Sequence, residues 1–151
     1  MYQYLFFDLD GTLTNPKEGI TKCVQYALRY FGIEEPDLDK LEPFIGPPLV
    51  DSFREYCGLT LEEARIAVEK YRERFRNVGI FENEVLEGIP QMLENLKRRG
   101  ACLAVASSKP EEYVRQILDK FELSPYFTQV VGATMDEKRT AKAEVIQEAF
   151  A

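Results

Sequence analysis

A chain of 151 residues with 45% hydrophobic and 30% charged side chains has the composition of an ordinary globular protein, long enough to bury about 68–70% of the surface its unfolded form exposes. Its net charge of −7 excludes the basic footprint that nucleic-acid binding needs, and the lack of any histidine excludes Ser-His-Asp or Cys-His catalysis and a histidine-based zinc site within it. No apolar run reaches membrane-spanning length, and no signal peptide is expected at the N-terminus. Cys23, Cys57 and Cys102 are widely spaced and fall in apolar patterns, which predicts buried thiols in a reducing, cytoplasmic compartment.

The first apolar run, Tyr4-Leu5-Phe6-Phe7, leads straight into Asp8-Leu9-Asp10-Gly11-Thr12-Leu13-Thr14. This reads as a buried strand that delivers Asp8 and Asp10 to a reactive edge, with alternation placing both carboxylates on one face. Two acids that close repel each other unless a cation or a proton lies between them, so a magnesium-assisted site is expected. Asp10-Gly11 between apolar stretches is also a hairpin signal, and on this stretch alone a turn capped by Asp8 stands as the alternative.

Asn15-Pro16-Lys17-Glu18 then predicts an N-cap with proline at the first helical position. Ile20, Cys23, Val24, Ala27, Leu28 and Phe31 recur at helical spacing up to a stop at Gly32. Residues 34–46 read as a loop or short helix, and Pro47-Pro48 open a second helix carrying Leu49, Phe53 and Tyr56 to Gly58. Thr60 with Glu63 forms a capping box for a third helix, whose inner face is Ala64, Ala67, Val68, Tyr71 and Phe75 and whose charged side is a solvated face.

From Gly88 the pattern changes. Pro90 opens a helix with Leu93 and Leu96 inward, ending at Gly100; Ala101–Ala106 reads as a strand covered on both faces. Ser107-Ser108-Lys109-Pro110-Glu111 leads into a helix with Val114, Ile117, Leu118 and Phe121 inward. A Ser124-Pro125 turn, a strand over Thr128–Val131 and a last helix from about Thr140 follow. Strands alternating with helices predict parallel pairing in an open α/β sheet, with ligands beyond the carboxyl ends of the strands. Asp8 and Asp10, Ser107, and the loop after Val131 therefore converge on one edge.

These residues resemble the haloacid dehalogenase superfamily, over essentially the whole chain. Asp8-Leu9-Asp10-Gly11-Thr12-Leu13-Thr14 resembles its first motif, Ser107 its second and Lys142 its third-motif lysine, with Lys109 and Lys138 as the competitors of Lys142. Phe44-Ile45-Gly46-Pro47-Pro48-Leu49 and Gly88-Ile89-Pro90 are similar to the phosphoglycolate phosphatase-like subgroup. The resemblance implies a Rossmann-like α/β core, residues 1–14 and 88–151, with an inserted helical cap, residues 15–87. It implies a magnesium-dependent phosphatase for a small phosphomonoester, phosphoglycolate- or nucleoside-monophosphate-like, with no nucleic-acid or membrane partner.

In the roles so implied, Asp8 attacks phosphorus to give an aspartyl-phosphate, and Asp10 protonates the leaving oxygen and then activates water. Asp8 and the backbone carbonyl of Asp10 hold the metal, Lys142 offsets charge, and Ser107, Ser108, Gly11, Thr12 and Gly46 bind the substrate. A fourth motif, an acidic pair ending another strand, has no counterpart before Ala151. The expectation is a core incomplete at its C-terminus, with an edge of the first strand unpaired, in a fragment of a longer enzyme; a catalytic metal site short of one carboxylate is the alternative, and either way the chain by itself is open to being inactive. A non-catalytic phosphate-binding or regulatory module, and a sugar-phosphate mutase, are the alternatives.

Overall fold

The computed structural model describes residues 4–134. Their elements in chain order are β1 (Tyr4–Phe7), β2 (Thr14–Asn15), α1 (Lys17–Tyr30), α2 (Leu49–Cys57), α3 (Leu61–Phe75), β3 (Glu84–Val85), α4 (Ile89–Arg98), β4 (Cys102–Pro110), α5 (Glu111–Lys120) and β5 (Gln129–Ala133). Short 3-10 turns lie at Leu38–Phe44, Gly79–Phe81 and Ser124–Tyr126. The chain divides into two units. One holds the residues up to Asn15 and from Glu84 onward; the other is Pro16–Asn83. The last predicted helix, from about Thr140, lies outside the described residues.

The first unit is built on a parallel sheet in the order β1-β4-β5. β1 registers Tyr4 to Phe7 against Cys102 to Val105. β4 is the central strand of the three, and Leu103, Ala104, Val105 and Ala106 are buried, as a strand covered on both faces requires. α5 packs on β4 and β5 through the expected Val114, Ile117 and Leu118 together with Tyr113, which the sequence reading does not place inward, whereas Phe121 follows the end of the helix and is only partly buried. Among the described residues β1 is an edge strand, and Tyr4 at its start is 60% exposed.

β2 and β3 form a two-residue antiparallel ladder, Thr14 with Val85 and Asn15 with Glu84. The sequence reading misses it, because two residues carry no periodicity. It also displaces the expected cap: Asn15 is spent on the ladder, Pro16 takes the N-cap position of α1, and no side chain caps that helix.

The helical unit matches its sequence pattern more closely. α1 buries Ile20, Cys23, Val24, Ala27 and Leu28, and Gly32 follows its end with φ 73°. α2 buries Phe53, whose ring meets Phe44 edge-on at 5.1 Å, and ends at Gly58 in the left-handed conformation. Tyr56, expected on the same face, is 51% exposed. The Thr60–Glu63 capping box starts α3, which packs on both α1 and α2 through Ala64, Ala67, Val68, Tyr71 and Phe75. Arg74 and Glu82 pair at 2.7 Å, with the Cys23 thiol 3.4 Å from the same guanidinium nitrogen. All three cysteines are free thiols; Cys23 is buried as expected, whereas Cys57 and Cys102 are partly exposed. No helix among the described residues is long and apolar enough to cross a membrane.

Candidate active site

The first strand stops at Phe7, so Asp8 and Asp10 are not strand residues as the alternation argument has it. They stand in a tight loop just beyond the carboxyl end of β1. The Leu9 carbonyl accepts amide hydrogens from Thr12, Leu13 and Thr14 at 2.9–3.2 Å, and the Gly11 amide donates to the Thr14 carbonyl at 2.8 Å. Gly11 has φ 80°, a conformation that costs a side-chain-bearing residue about 1–2 kcal/mol. Leu9 and Leu13 are fully buried and anchor the loop in the core. The Asp8 carboxylate accepts the Leu9 amide at 2.8 Å through Oδ1, which fixes its orientation. Backbone curvature, rather than strand alternation, brings the two carboxylates together.

The second cluster departs from expectation in the same way. Ser107 does not end β4. That strand runs on to Pro110, and α5 starts only at Glu111. Pairing with β5 is regular to Ala106 and Val131, then shifts, resuming at Pro110 and Ala133. Four residue steps on β4 thus face two on β5, a bulge that re-aims side chains beside a site. Ser107 is 2% exposed, and its Oγ accepts the Lys109 amide hydrogen at 3.1 Å. The hydroxyl keeps its own hydrogen to donate.

The bulge delivers Lys109 to Asp10. Nζ of Lys109 lies 3.3 Å from Oδ2 of Asp10, and each side chain is only 7% exposed. Oδ1 of Asp10 is buried with no hydrogen-bond partner among the described residues. Burial pushes the Asp10 carboxyl above its ordinary value of 3.8; attraction to Lys109 opposes the rise, and the Asp8 charge adds to it. Sequence reasoning names Lys109 only as a competitor of Lys142. The bulge that brings it inward has no strong sequence signal, since Lys-Pro ahead of a helical pattern reads as a helix opening.

Of the remaining expected residues, Gly11 and Thr12 sit exposed in the Asp loop, and Ser108 is half-buried beside Ser107. Gly46 belongs to the helical unit, at φ 107° before Pro47-Pro48. Lys142 and Lys138 lie outside the described residues. Asp8, Asp10, Ser107 and Lys109 are thus carried by the carboxyl-end segments of two adjacent parallel strands, the placement open α/β sheets use for ligands.

An open parallel α/β core, interrupted after its first strand by a helical unit and bearing two carboxylates on the first loop, is the architecture of the dehalogenase-like fold. The chain belongs to the haloacid dehalogenase-like hydrolase family, the match covering residues 5–151. It is 49% identical over 146 residues to a 5'-nucleotidase of Pseudomonas aeruginosa, covering 97% of this chain and 66% of that protein. It is 36% identical over 150 residues to the tyrosine-protein kinase PtkA of Mycobacterium tuberculosis, covering 99% of this chain and 50% of that one. The crystal structure of a predicted phosphatase from Clostridium acetobutylicum superposes with a TM-score of 0.97 at 47% identity, over 99% of this chain and 69% of that chain. The chain therefore spans half to two thirds of the length of these two curated relatives.

Proposed function

We propose that this chain carries the catalytic core of a magnesium-dependent phosphatase for a small phosphomonoester of the phosphoglycolate or nucleoside monophosphate kind. The observation that carries the reading is the pair on the first loop: Asp8 held by the Leu9 amide, and Asp10 buried with its carboxyl pushed up. Asp8 attacks phosphorus, forming an aspartyl-phosphate as the bond to the leaving oxygen breaks. Asp10 gives that oxygen its proton, then takes one from the water that attacks the same phosphorus and frees phosphate and Asp8. A carboxyl raised by burial suits this two-way exchange.

The donor set fits magnesium, which takes one or two carboxylates and keeps several waters. Asp8 through its carboxylate and Asp10 through its backbone carbonyl are the ligands assigned to it. Among the described residues no group of three or more acidic, histidine or cysteine side chains forms a complete metal cage. When bound, the ion supplies neutralisation of the phosphoryl oxygens. Ser107 and Ser108 hydroxyls hold the phosphoryl group beside the Gly11–Thr12 turn, whose amides close the loop itself, and Lys142 offsets its charge. The Pro16–Asn83 unit, with Gly46, serves as the cap that excludes water and selects the leaving group.

The test is hydrolysis of a phosphomonoester panel with and without magnesium. Wild type turns over only with the metal, and Asp8→Asn loses at least about a thousandfold. Metal-independent turnover, or an active Asp8→Asn variant, overturns the reading. A second reading, transfer to a protein tyrosine instead of water, is favoured by the 36% identity to a relative of that name. Phosphotyrosine formed from a nucleotide, with no phosphate released from the panel, distinguishes it.

A further inference from the structure

We propose that Lys109 is a positioning residue: by holding Oδ2 of Asp10 it fixes the carboxyl that exchanges a proton with the leaving group. The inference rests on the phosphatase reading above and adds the residue that sets the acid–base carboxyl in place.

The geometry is over-determined at Lys109. The Ser107 Oγ holds its amide from one side. On the other side Gly132 of β5 lies against the bulge so closely that a Cβ there would stand 2.6 Å from the Lys109 carbonyl oxygen and 2.5 Å from Cα of Glu111. Only glycine permits that approach. The Gly132 amide also donates to the Glu111 carboxylate at 3.3 Å, fastening β5 to the start of α5. The backbone of residues 107–111 is therefore set, and the Lys109 side chain leaves it toward Asp10.

Stability alone does not account for the pair. Burying an ammonium and a carboxylate costs desolvation that their attraction roughly offsets, and a buried carboxylate oxygen without a partner adds a further penalty. Such an arrangement is retained where a carboxyl must be held in one orientation. A carboxylate turns about its last side-chain bond, so an unfastened Asp10 presents either oxygen at varying angles. With Oδ2 fastened to Nζ at 3.3 Å, the carboxylate plane is fixed.

A positioning role for proton delivery leaves a mark that a phosphate-holding or merely structural lysine does not. Phenyl phosphate and p-nitrophenyl phosphate are nearly the same size, yet p-nitrophenolate departs with far less protonation. We expect Lys109→Met to lower kcat on phenyl phosphate at least about tenfold more than on p-nitrophenyl phosphate, with KM changed less than kcat, since general acid help is worth about a hundredfold or more. Lys109→Arg should recover part of the phenyl phosphate rate. Gly132→Ala, which shifts the bulge without removing a charge, should reproduce the same substrate bias in a chain that still melts cooperatively. Equal losses on both substrates, a KM rise with kcat unchanged, or no loss overturns the positioning role while leaving the phosphatase reading intact. Wild type inert on both substrates with magnesium present overturns both.

Discussion

In the Pro16–Asn83 unit the interior is apolar and most charges lie outside, with the Arg74–Glu82 pair set deeper at 22% and 17% exposure; around Asp10 the order is reversed. Lys17, Lys22 and Lys70 make their pairs with 30–40% of the side chain exposed, whereas Lys109 and Asp10 meet at 7% exposure each. Surface pairs contribute about 0–1 kcal/mol, and a buried pair roughly breaks even against its desolvation. The helical unit is thus stabilised mainly by burial of Phe53, Phe75, Val24 and Val68, and its charges are largely incidental. The sheet unit holds a buried ionic pair with a buried carboxylate oxygen that has no hydrogen-bond partner among the described residues. That difference separates residues that pack from the residues to which the proposed chemistry is assigned.

The contrast is most sharply probed where it is largest. Phe53→Ala empties a fully buried site packed against Phe44 and should cost about 3–5 kcal/mol in denaturant unfolding of the full chain. A loss below about 1 kcal/mol would mean that the helical unit does not rely on this core. Next come two glycines with the same backbone strain and different addresses. Gly11→Ala at φ 80° and Gly32→Ala at φ 73° should each cost about 1–2 kcal/mol of stability, but only Gly11→Ala should also depress kcat, because its loop carries Asp8 and Asp10. Equal effects on kcat would erase the distinction between the two regions.

The smallest effect concerns Glu82. Its hydrogen bond to Arg74 holds the carboxyl below the ordinary 4.5 despite opposing desolvation. A depressed carboxyl adds stability above its unfolded value and loses it as pH falls through the folded one. Wild type should therefore exceed Glu82→Gln by up to about 1 kcal/mol at neutral pH, with the gap closing as pH drops below about 4.5. Urea midpoints measured across acid and neutral pH check this; a gap that persists unchanged in acid would assign the contribution to packing.

Legibility in the sequence followed the same divide. Helical spacing, capping boxes and stop glycines place α1, α2 and α3 well, because each rests on a local rule such as the Thr60–Glu63 cap or the left-handed Gly58. The parallel order of β1 and β4 follows from strand–helix alternation. Hidden from sequence were the features that depend on backbone curvature: the stop of β1 at Phe7, the β2–β3 ladder, and the bulge between Ala106 and Pro110. Lysines are mostly exposed, so a buried Lys109 runs against its residue type, and only the registration of β4 on β5 brings it inward. The chemistry-bearing types at Asp8, Asp10 and Ser107 were legible; the atoms they present were not.

The most direct test of the account is the covalent step on Asp8. The chain mixed with magnesium and p-nitrophenyl phosphate, quenched in acid during turnover and digested for mass spectrometry, should yield the peptide containing Asp8 with one phosphoryl group on that residue, and none from Asp8→Asn. Phosphate released at the full rate with no phosphoryl group on Asp8 would contradict it.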